Sequence, residues 1–348
     1  MTTIFASHAL LPDGWAADAR ITVTDGSIAT VSAGATAEAG DLVVPALLPA
    51  LCNLHSHSFQ RAMAGMTEYR AAGRDSFWTW RELMYRFVDR LTPEQIEAIA
   101  ALVFMEMQEA GFAAVGEFHY LHHAPGGARY DDPAELSARI FAAAAATGIG
   151  LTHLPVFYTY GGAGMRPLAG GQLRFGSTVD EFAGLLDAVR KAARGLPPDT
   201  TVGIAPHSLR ATSPADLARA LPLGAGAPVH IHVAEQPKEV EEVAAWLGAR
   251  PVEWLLTNCD VGPGWCAVHA THMTAHETAG LAASGAVAGL CPVTEANLGD
   301  GIFALPRWGE GRWGVGSDSH ITVDAAEELR MLEYSQRLFW RRRNLMDH

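Results

Sequence analysis

Val43-Val44-Pro45-Ala46-Leu47-Leu48-Pro49-Ala50-Leu51-Cys52-Asn53-Leu54-His55-Ser56-His57 is an apolar run that ends in two histidines one residue apart. In an extended chain alternate side chains share a face, so residues i and i+2 can close on one small ion without bending the backbone. The pattern predicts a strand whose mouth carries two imidazoles, and a divalent metal is the first candidate for what they hold. Two histidines near a strand end can also be ordinary surface or hydrogen-bonded residues, so the remainder of the chain decides.

After Pro45, apolar strand-like runs alternate with Ala- and Leu-rich helical stretches such as Pro93 to Ala110 and Pro133 to Thr147. That alternation is the texture of parallel βα units. The candidate strands lie around Leu47, at Ala113 to Phe118, Gly150 to Phe157, Val202 to Ala205, Val229 to Val233, Cys266 to His269, Ala286 to Leu290 and Trp313 to Gly316. Eight such strands close a TIM (β/α)8 barrel, whose active site gathers at the C-terminal strand ends. Ahead of them, Ala19 to Thr24 and Ser27 to Val31 flank Asp25-Gly26, a strong hairpin signal. The expected fold class is therefore α/β, with a small β-strand domain over residues 1–44 and a barrel over 45–348.

A chain of 348 residues with 49% hydrophobic and 18% charged residues can bury a substantial core. Its formal charge of −13 argues against nucleic acid as a partner. The basic run Arg341, Arg342 and Arg343 reads as a solvated helix end. Four cysteines (Cys52, Cys259, Cys266, Cys291) without a CxxC pair suggest neither a disulfide framework nor a thiolate zinc site, which fits a reducing compartment. With no signal-like N-terminus and no apolar run of membrane-spanning length, the expectation is a cytoplasmic protein with no membrane partner.

Nearly every candidate strand ends in a titratable side chain: His55 and His57, Glu117 and His119, His207 and Arg210, His230, His232 and Glu235, His269 and His272, Asp318 and His320. Zinc accepts imidazole nitrogen and carboxylate oxygen and, when catalytic, keeps a position for water. His55, His57, His232 and Asp318 would supply that shell. Glu235 could move a proton between water and a departing nitrogen, although a carboxylate there is also favoured simply by a helix N-terminus. His269 could orient the attacking water, or be a satisfied core histidine.

This arrangement resembles the amidohydrolase superfamily. The runs Asn53 to Gly65, Asp75 to Tyr85 and Cys291 to Gly301 are similar to the formimidoylglutamate deiminase family, with similarity extending from the N-terminal strands through Asn344. The resemblance implies hydrolysis of N-formimino-L-glutamate, a small anionic substrate, to N-formyl-L-glutamate and ammonia in histidine degradation, with one zinc ion per chain and a homodimer. It also implies substrate-binding roles for Gln60, Arg81, Tyr120, His207 and Arg210. Arginines grip carboxylates bidentately, which gives Arg81 and Arg210 a purpose; their plainer readings are an ion pair with Glu82 and a helix start. Glu235, His269 and Asp318 would be catalytic, with Asp318 also a metal ligand.

Other residues carry blander expectations. Trp78 and Trp80 would wall the pocket or fill core. His119, His122 and His123 could hold a second metal but read rather as water-exposed loop histidines, and His320 as a neighbour of the ligands. Family members continue into further strands that complete a small β-sandwich, whereas here Asp318 lies thirty residues before His348; the resemblance thus implies a fold incomplete at its C-terminus. Two other functions remain open: a zinc deaminase acting on a purine or pterin-like ring, and an inactive zinc-containing scaffold.

Overall fold

The Asp25-Gly26 turn forms as its chemistry requires. Both residues have positive φ, 49° and 77°, and they join a strand at Gly14–Thr24 to one at Ser27–Ser32, with Thr24 facing Ser27. A computed structural model describes residues 1–69 and 75–346. In chain order the elements are β1 Thr2–Leu11, β2 Gly14–Thr24, β3 Ser27–Ser32, β4 Leu42–Leu47, β5 Leu51–Ser56, α1 Phe77–Val88, α2 Pro93–Glu109, β6 Phe112–His119, α3 Glu135–Thr147, β7 Gly150–Phe157, α4 Val179–Ala192, β8 Thr200–Val202 and β9 Ala205–Pro206. There follow α5 Pro214–Ala220, β10 Val229–Val233, α6 Pro237–Leu247, α7 Pro251–Asn258, β11 Trp265–His269, α8 Ala275–Ala283, β12 Val287–Leu290, α9 Pro292–Leu298, α10 Leu305–Trp308, β13 Trp313–Val315 and α11 Ala325–Trp340.

The chain divides into two compact units, Met1–Leu51 and Cys52–His348. The first is a single four-stranded sheet in the order β3-β2-β1-β4. Its small core is Ala6, Ala9 and Ala19, with Leu11, Val44 and Leu47 packed on them. One strand expectation is corrected here. The run around Leu47 pairs in parallel with β1, Ile4 facing Leu42 and Ala9 facing Leu47, so it belongs to this sheet. The strand that delivers the two histidines begins only at Leu51. Pro49 lies in the switch: strand pairing lapses after Leu47 and resumes at Leu51.

In the second unit the βα alternation holds. Helix α2 shows why: Thr92 accepts a hydrogen bond from Gln95 N at 3.3 Å, Pro93 fills the first turn, and Ile96, Ala100, Val103, Phe104 and Met107 form its buried stripe. Burying each large apolar side chain there is worth about 1.5–3 kcal/mol. Strand β10 is buried at every position, as a strand covered on both faces should be. The parallel ladders form two sheets, β5-β6-β7-β8 with β9 on β7, and β10-β11-β12-β13. Single parallel bridges, Ser56 to Asp318 and Ile204 to Val229, join them at either side. The expected barrel is thus two sheets meeting at single bridges, without a continuous closed ladder. The ladder is thin at Ile204 because β8 and β9 are short, and at Asp318 because β13 has already ended at Val315.

Gly316 makes the second seam possible. A Cβ there would lie 2.6 Å from His55 N and 2.8 Å from His55 O. Only a glycine lets the end of β13 approach the backbone of β5 this closely, where Asp318 N donates to His55 O (2.9 Å) and His57 N donates to Asp318 O (3.1 Å). Beyond it, Asp324 caps α11 by accepting from Ala326 N and Glu327 N. Among the described residues no helix is long and apolar enough to cross a membrane.

Candidate active site

Strand alternation sends Ser56 to one side of β5 and His55 and His57 to the other, and the three imidazoles of His55, His57 and His232 converge. His55 Nε2 lies 3.1 Å from both His57 Nε2 and His232 Nε2, and Asp318 Oδ1 lies 3.4 Å from the Nε2 of His55 and of His57. The outer ring nitrogens fix the tautomers. His57 Nδ1 donates to Phe118 O at 2.9 Å and His232 Nδ1 donates to His207 O at 3.0 Å, so both Nε2 atoms turn lone pairs inward. Burial, first of all, pushes the pKa of His55 and His232 well below the ordinary histidine value and that of His57 below it, which keeps the rings neutral. Inward lone pairs and a carboxylate repel one another unless a cation sits among them. Ligand atoms about 2.0–2.1 Å from a shared zinc ion lie about 3.3 Å apart at near-tetrahedral angles, close to the spacing found. The donor set therefore fits a zinc-type metal.

Behind these residues is a network centred on Glu117, a strand-end carboxylate with no role assigned above. Ser56 Oγ donates to Glu117 at 2.5 Å, and Ser58 donates to it from both N (2.9 Å) and Oγ (2.7 Å). His320 bridges Ser56 Oγ (3.0 Å) and Ser317 Oγ (2.9 Å), and Asn53 Nδ2 donates to Ser317 Oγ (2.6 Å). The buried chain ties β5 to the end of β13, holding the His55–His57 segment against Asp318. His320 is thus a neighbour of the ligand segment, as expected of it. The other expectation about histidines is corrected. His119, His122 and His123 are buried: His122 donates to Val156 O (2.9 Å) and His123 to Gly176 O (2.8 Å), and His119 packs beside His153. Backbone carbonyls of β7 and of the segment before α4 take the protons that water was expected to take.

A narrow pocket, partly open to solvent, reaches this cluster. All the residues given a catalytic, metal-binding or substrate-binding role from sequence except His55 line it, together with Trp80, Met84 and Tyr158. His55 lies beneath, fully buried. Gln60 Nε2 donates to Tyr120 Oη at 2.8 Å, leaving Gln60 Oε1 without a partner. Arg81 turns to Tyr85 Oη (2.5 Å) and Tyr158 Oη (3.4 Å) rather than to Glu82. Arg210 is 5% exposed, its Nη2 3.8 Å from Glu235 Oε2 and its Nε unpartnered. Trp78 lies under the cations of Lys238, Arg81 and Arg210 at 4.4, 5.6 and 5.9 Å from its ring centre. Buried polar atoms without partners on a pocket wall are what a polar ligand completes.

The helix-terminus role considered for Glu235 falls to another residue. Glu239, in the first turn of α6, accepts from the amides of Ala234 (3.2 Å) and Glu235 (3.0 Å), which leaves the Glu235 carboxyl free for the pocket. Burial raises that carboxyl to about 7 against the pull of His269 and Arg210. For His269 burial opposes the charge, yet Glu235, Glu295 and Asp318 outweigh it and hold the ring at about 10. His269 Nε2 stands 3.6 Å from Glu235 Oε1 and 3.9 Å from Asp318 Oδ2. Left-handed backbone at Ala234, His269, Ala270, Asp318 and His320, φ between 46° and 65°, turns these side chains into place. Such strain in non-glycine residues gathers at functional sites.

Residues 1–43 match the model for "Formimidoylglutamate deiminase HutF, N-terminal domain", and residues 46–347 match the amidohydrolase family. The chain is 51% identical to the formimidoylglutamate deiminase of Pseudomonas aeruginosa, over 99% of its own length and 76% of that protein's. An amidohydrolase crystal structure from Brucella melitensis superposes with a TM-score of 0.98 at 49% identity, covering 100% of this chain and 78% of that one. An adenosine deaminase of Xanthomonas campestris, solved with bound zinc, shares the fold at a TM-score of 0.79 and 20% identity, over 98% of this chain and 74% of that one. With both halves matched in sequence and nearly the whole chain superposed, the chain belongs to the amidohydrolase family, among the formimidoylglutamate deiminases.

Proposed function

We propose that this site hydrolyses N-formimino-L-glutamate to N-formyl-L-glutamate and ammonia, a step of histidine degradation, using one zinc ion per chain. The observation that carries the reading is the presence in one pocket of a metal-ligand cluster, a buried carboxyl and two arginines, Arg81 and Arg210. A linear amidine bearing two carboxylates uses all three. The eight strands β5, β6, β7, β8 with β9, and β10 to β13 are read as a (β/α)8 barrel interrupted at its two seams, with the site at the C-terminal strand ends.

His55, His57, His232 and Asp318 would hold a zinc ion, which when bound would supply Lewis acidity and bring proton loss from water into the neutral range. Asp318 and His269 face one another across the cluster and aim the attacking water, Asp318 taking its proton. Arg81 and Arg210 grip the substrate carboxylates, with Gln60, Tyr120 and His207 setting the depth of the chain. Once water oxygen has bonded to the formimino carbon, the proton taken by Asp318 passes to the imino nitrogen, making it an amino group, and Glu235 delivers a second proton to it. The C–N bond breaks and ammonia leaves, while the hydroxyl proton of the tetrahedral species passes back to Glu235 as the formyl carbonyl forms. A carboxyl poised at about 7 is suited to both accepting and giving that proton.

Four free cysteines support a reducing, cytoplasmic setting. The homodimer is carried forward as part of this reading and is checked by sedimentation. The function is tested by comparing ammonia release from N-formimino-L-glutamate with release from adenine, guanine and pterin. Turnover confined to the acidic amidine is expected. Preference for a neutral ring would replace this reading with a ring deaminase, and inertness toward all of them with an inactive scaffold.

A further inference from the structure

Glu295 lies in the run Cys291 to Gly301, on α9, twenty-six residues from His269 in sequence. It is 4% exposed, and its Oε1 sits 3.2 Å from His269 Nδ1. The same oxygen accepts from Cys291 N at 2.9 Å, so α9's own first turn fixes where the carboxylate points. On the far side of the imidazole, Nε2 faces Glu235 and Asp318. His269 thus has one edge against a buried acceptor and the other toward the reacting groups. An imidazole whose Nδ1 donates to a carboxylate has its ring plane set, and its Nε2 is left to serve the pocket. His269 itself sits at a φ of 65°, which places Cα but does not by itself set the plane of the ring.

We infer that Glu295 is a positioning residue for the reaction: it anchors His269 Nδ1 and thereby aims Nε2 at the position of the attacking water. This rests on the role given to His269 above, and extends it to a residue that touches neither substrate nor metal ligands. A buried carboxylate that sets an imidazole is expected to matter about as much here as those behind metal-bound histidines, on the order of 10–100-fold in activity.

The test uses the full zinc-loaded chain and steady-state ammonia release from N-formimino-L-glutamate, with zinc per chain measured in parallel. Glu295→Ala is expected to lower kcat by about 10–100-fold, with KM within about threefold of wild type, as when an interaction made only in the transition state is lost. Zinc content should be unchanged. Glu295→Gln, which can still accept from both Cys291 N and His269 Nδ1, should recover most of the rate. In a double-mutant cycle, His269→Asn/Glu295→Ala should be no slower than His269→Asn alone. Where Glu295→Ala does not fold, Glu295→Asp withdraws the carboxylate by one methylene and should show the same loss confined to kcat. Wild-type kcat in the Glu295 variants beside an inactive His269→Asn overturns this inference alone, as does additivity in the cycle. Wild-type turnover in His269→Asn overturns the role of His269 and this inference with it.

Discussion

Replacing Gly316 with Ala adds one methyl group at the seam between β13 and β5. The new Cβ would stand 2.6 Å from His55 N and 2.8 Å from His55 Cβ and O. The obstructing atoms are mostly backbone, so no side chain can swing aside. Restoring an ordinary 3.4 Å contact requires a separation of about 0.8 Å between the strands, beyond the roughly 0.5 Å within which a site keeps its productive geometry. The hydrogen bonds stretched are Asp318 N to His55 O and His57 N to Asp318 O, each joining one proposed ligand to another. Overpacking of this size costs about 1–3 kcal/mol of stability, which a core of this extent survives, whereas misplacement approaching 1 Å costs on the order of 100-fold in turnover. The assay is thermal unfolding together with zinc content and kcat. The expected result is a folded protein with weakened zinc retention and turnover reduced about 100-fold. Unchanged zinc and unchanged kcat in a folded Gly316→Ala protein would refute the claim that the seam sets the metal geometry.

Glu235→Gln should keep its zinc and lose on the order of 10²–10⁴ in kcat; near wild-type turnover would remove Glu235 from proton transfer. Arg210→Ala should weaken kcat/KM by about 10–100-fold, since a charge-assisted hydrogen bond is worth about 1.5–3 kcal/mol, with zinc unaffected; an equal loss on a neutral amidine would show that Arg210 does not read a carboxylate. Glu328 tests the pH dependence of stability. Its carboxyl is pushed, chiefly by burial, from 4.5 up to about 9, with Oε2 accepting from Val293 N and Oε1 unpartnered. The unfolded chain therefore releases this proton first, so the group's stabilising contribution is complete below pH 4.5 and is lost as pH rises toward 9. Glu328→Gln cannot titrate, and wild-type stability should fall relative to it across that interval by up to about 1.4 kcal/mol per pH unit. Parallel unfolding profiles for the two proteins would contradict the assignment.

The two histidines of β5 were legible because period-two alternation and a preceding apolar run are local signals, and the other strand-end residues followed from the same βα rhythm. The Asp25-Gly26 hairpin and helix α2 were legible for a like reason: turn chemistry and caps act within a few residues. What failed to appear depends on partners far along the chain. Nothing local in Leu42 to Leu47 states that it pairs with β1 rather than beginning the barrel. His119, His122 and His123 read as exposed because their acceptors, Val156 O and Gly176 O, are backbone atoms 34 and 53 residues away. Glu239 could have been found, since an acidic side chain in the first turn after Pro237 is a helix-start signal, and recognising it would have freed Glu235 from that role. Glu117 and Glu295 stood in quoted runs, but their tasks are set by Ser56, Ser58 and His269, which the fold alone brings near. The left-handed φ values at Ala234, His269 and Asp318 left no trace in residue type.

The central claim is that three imidazoles and Asp318 hold one zinc ion that turns over N-formimino-L-glutamate. Metal-stripped protein titrated with zinc, with ammonia release read at each addition, tests it most directly. Turnover is expected to rise in proportion to bound zinc and to level off at one ion per chain. Full ammonia release without metal, or a plateau that requires two ions, would contradict the claim.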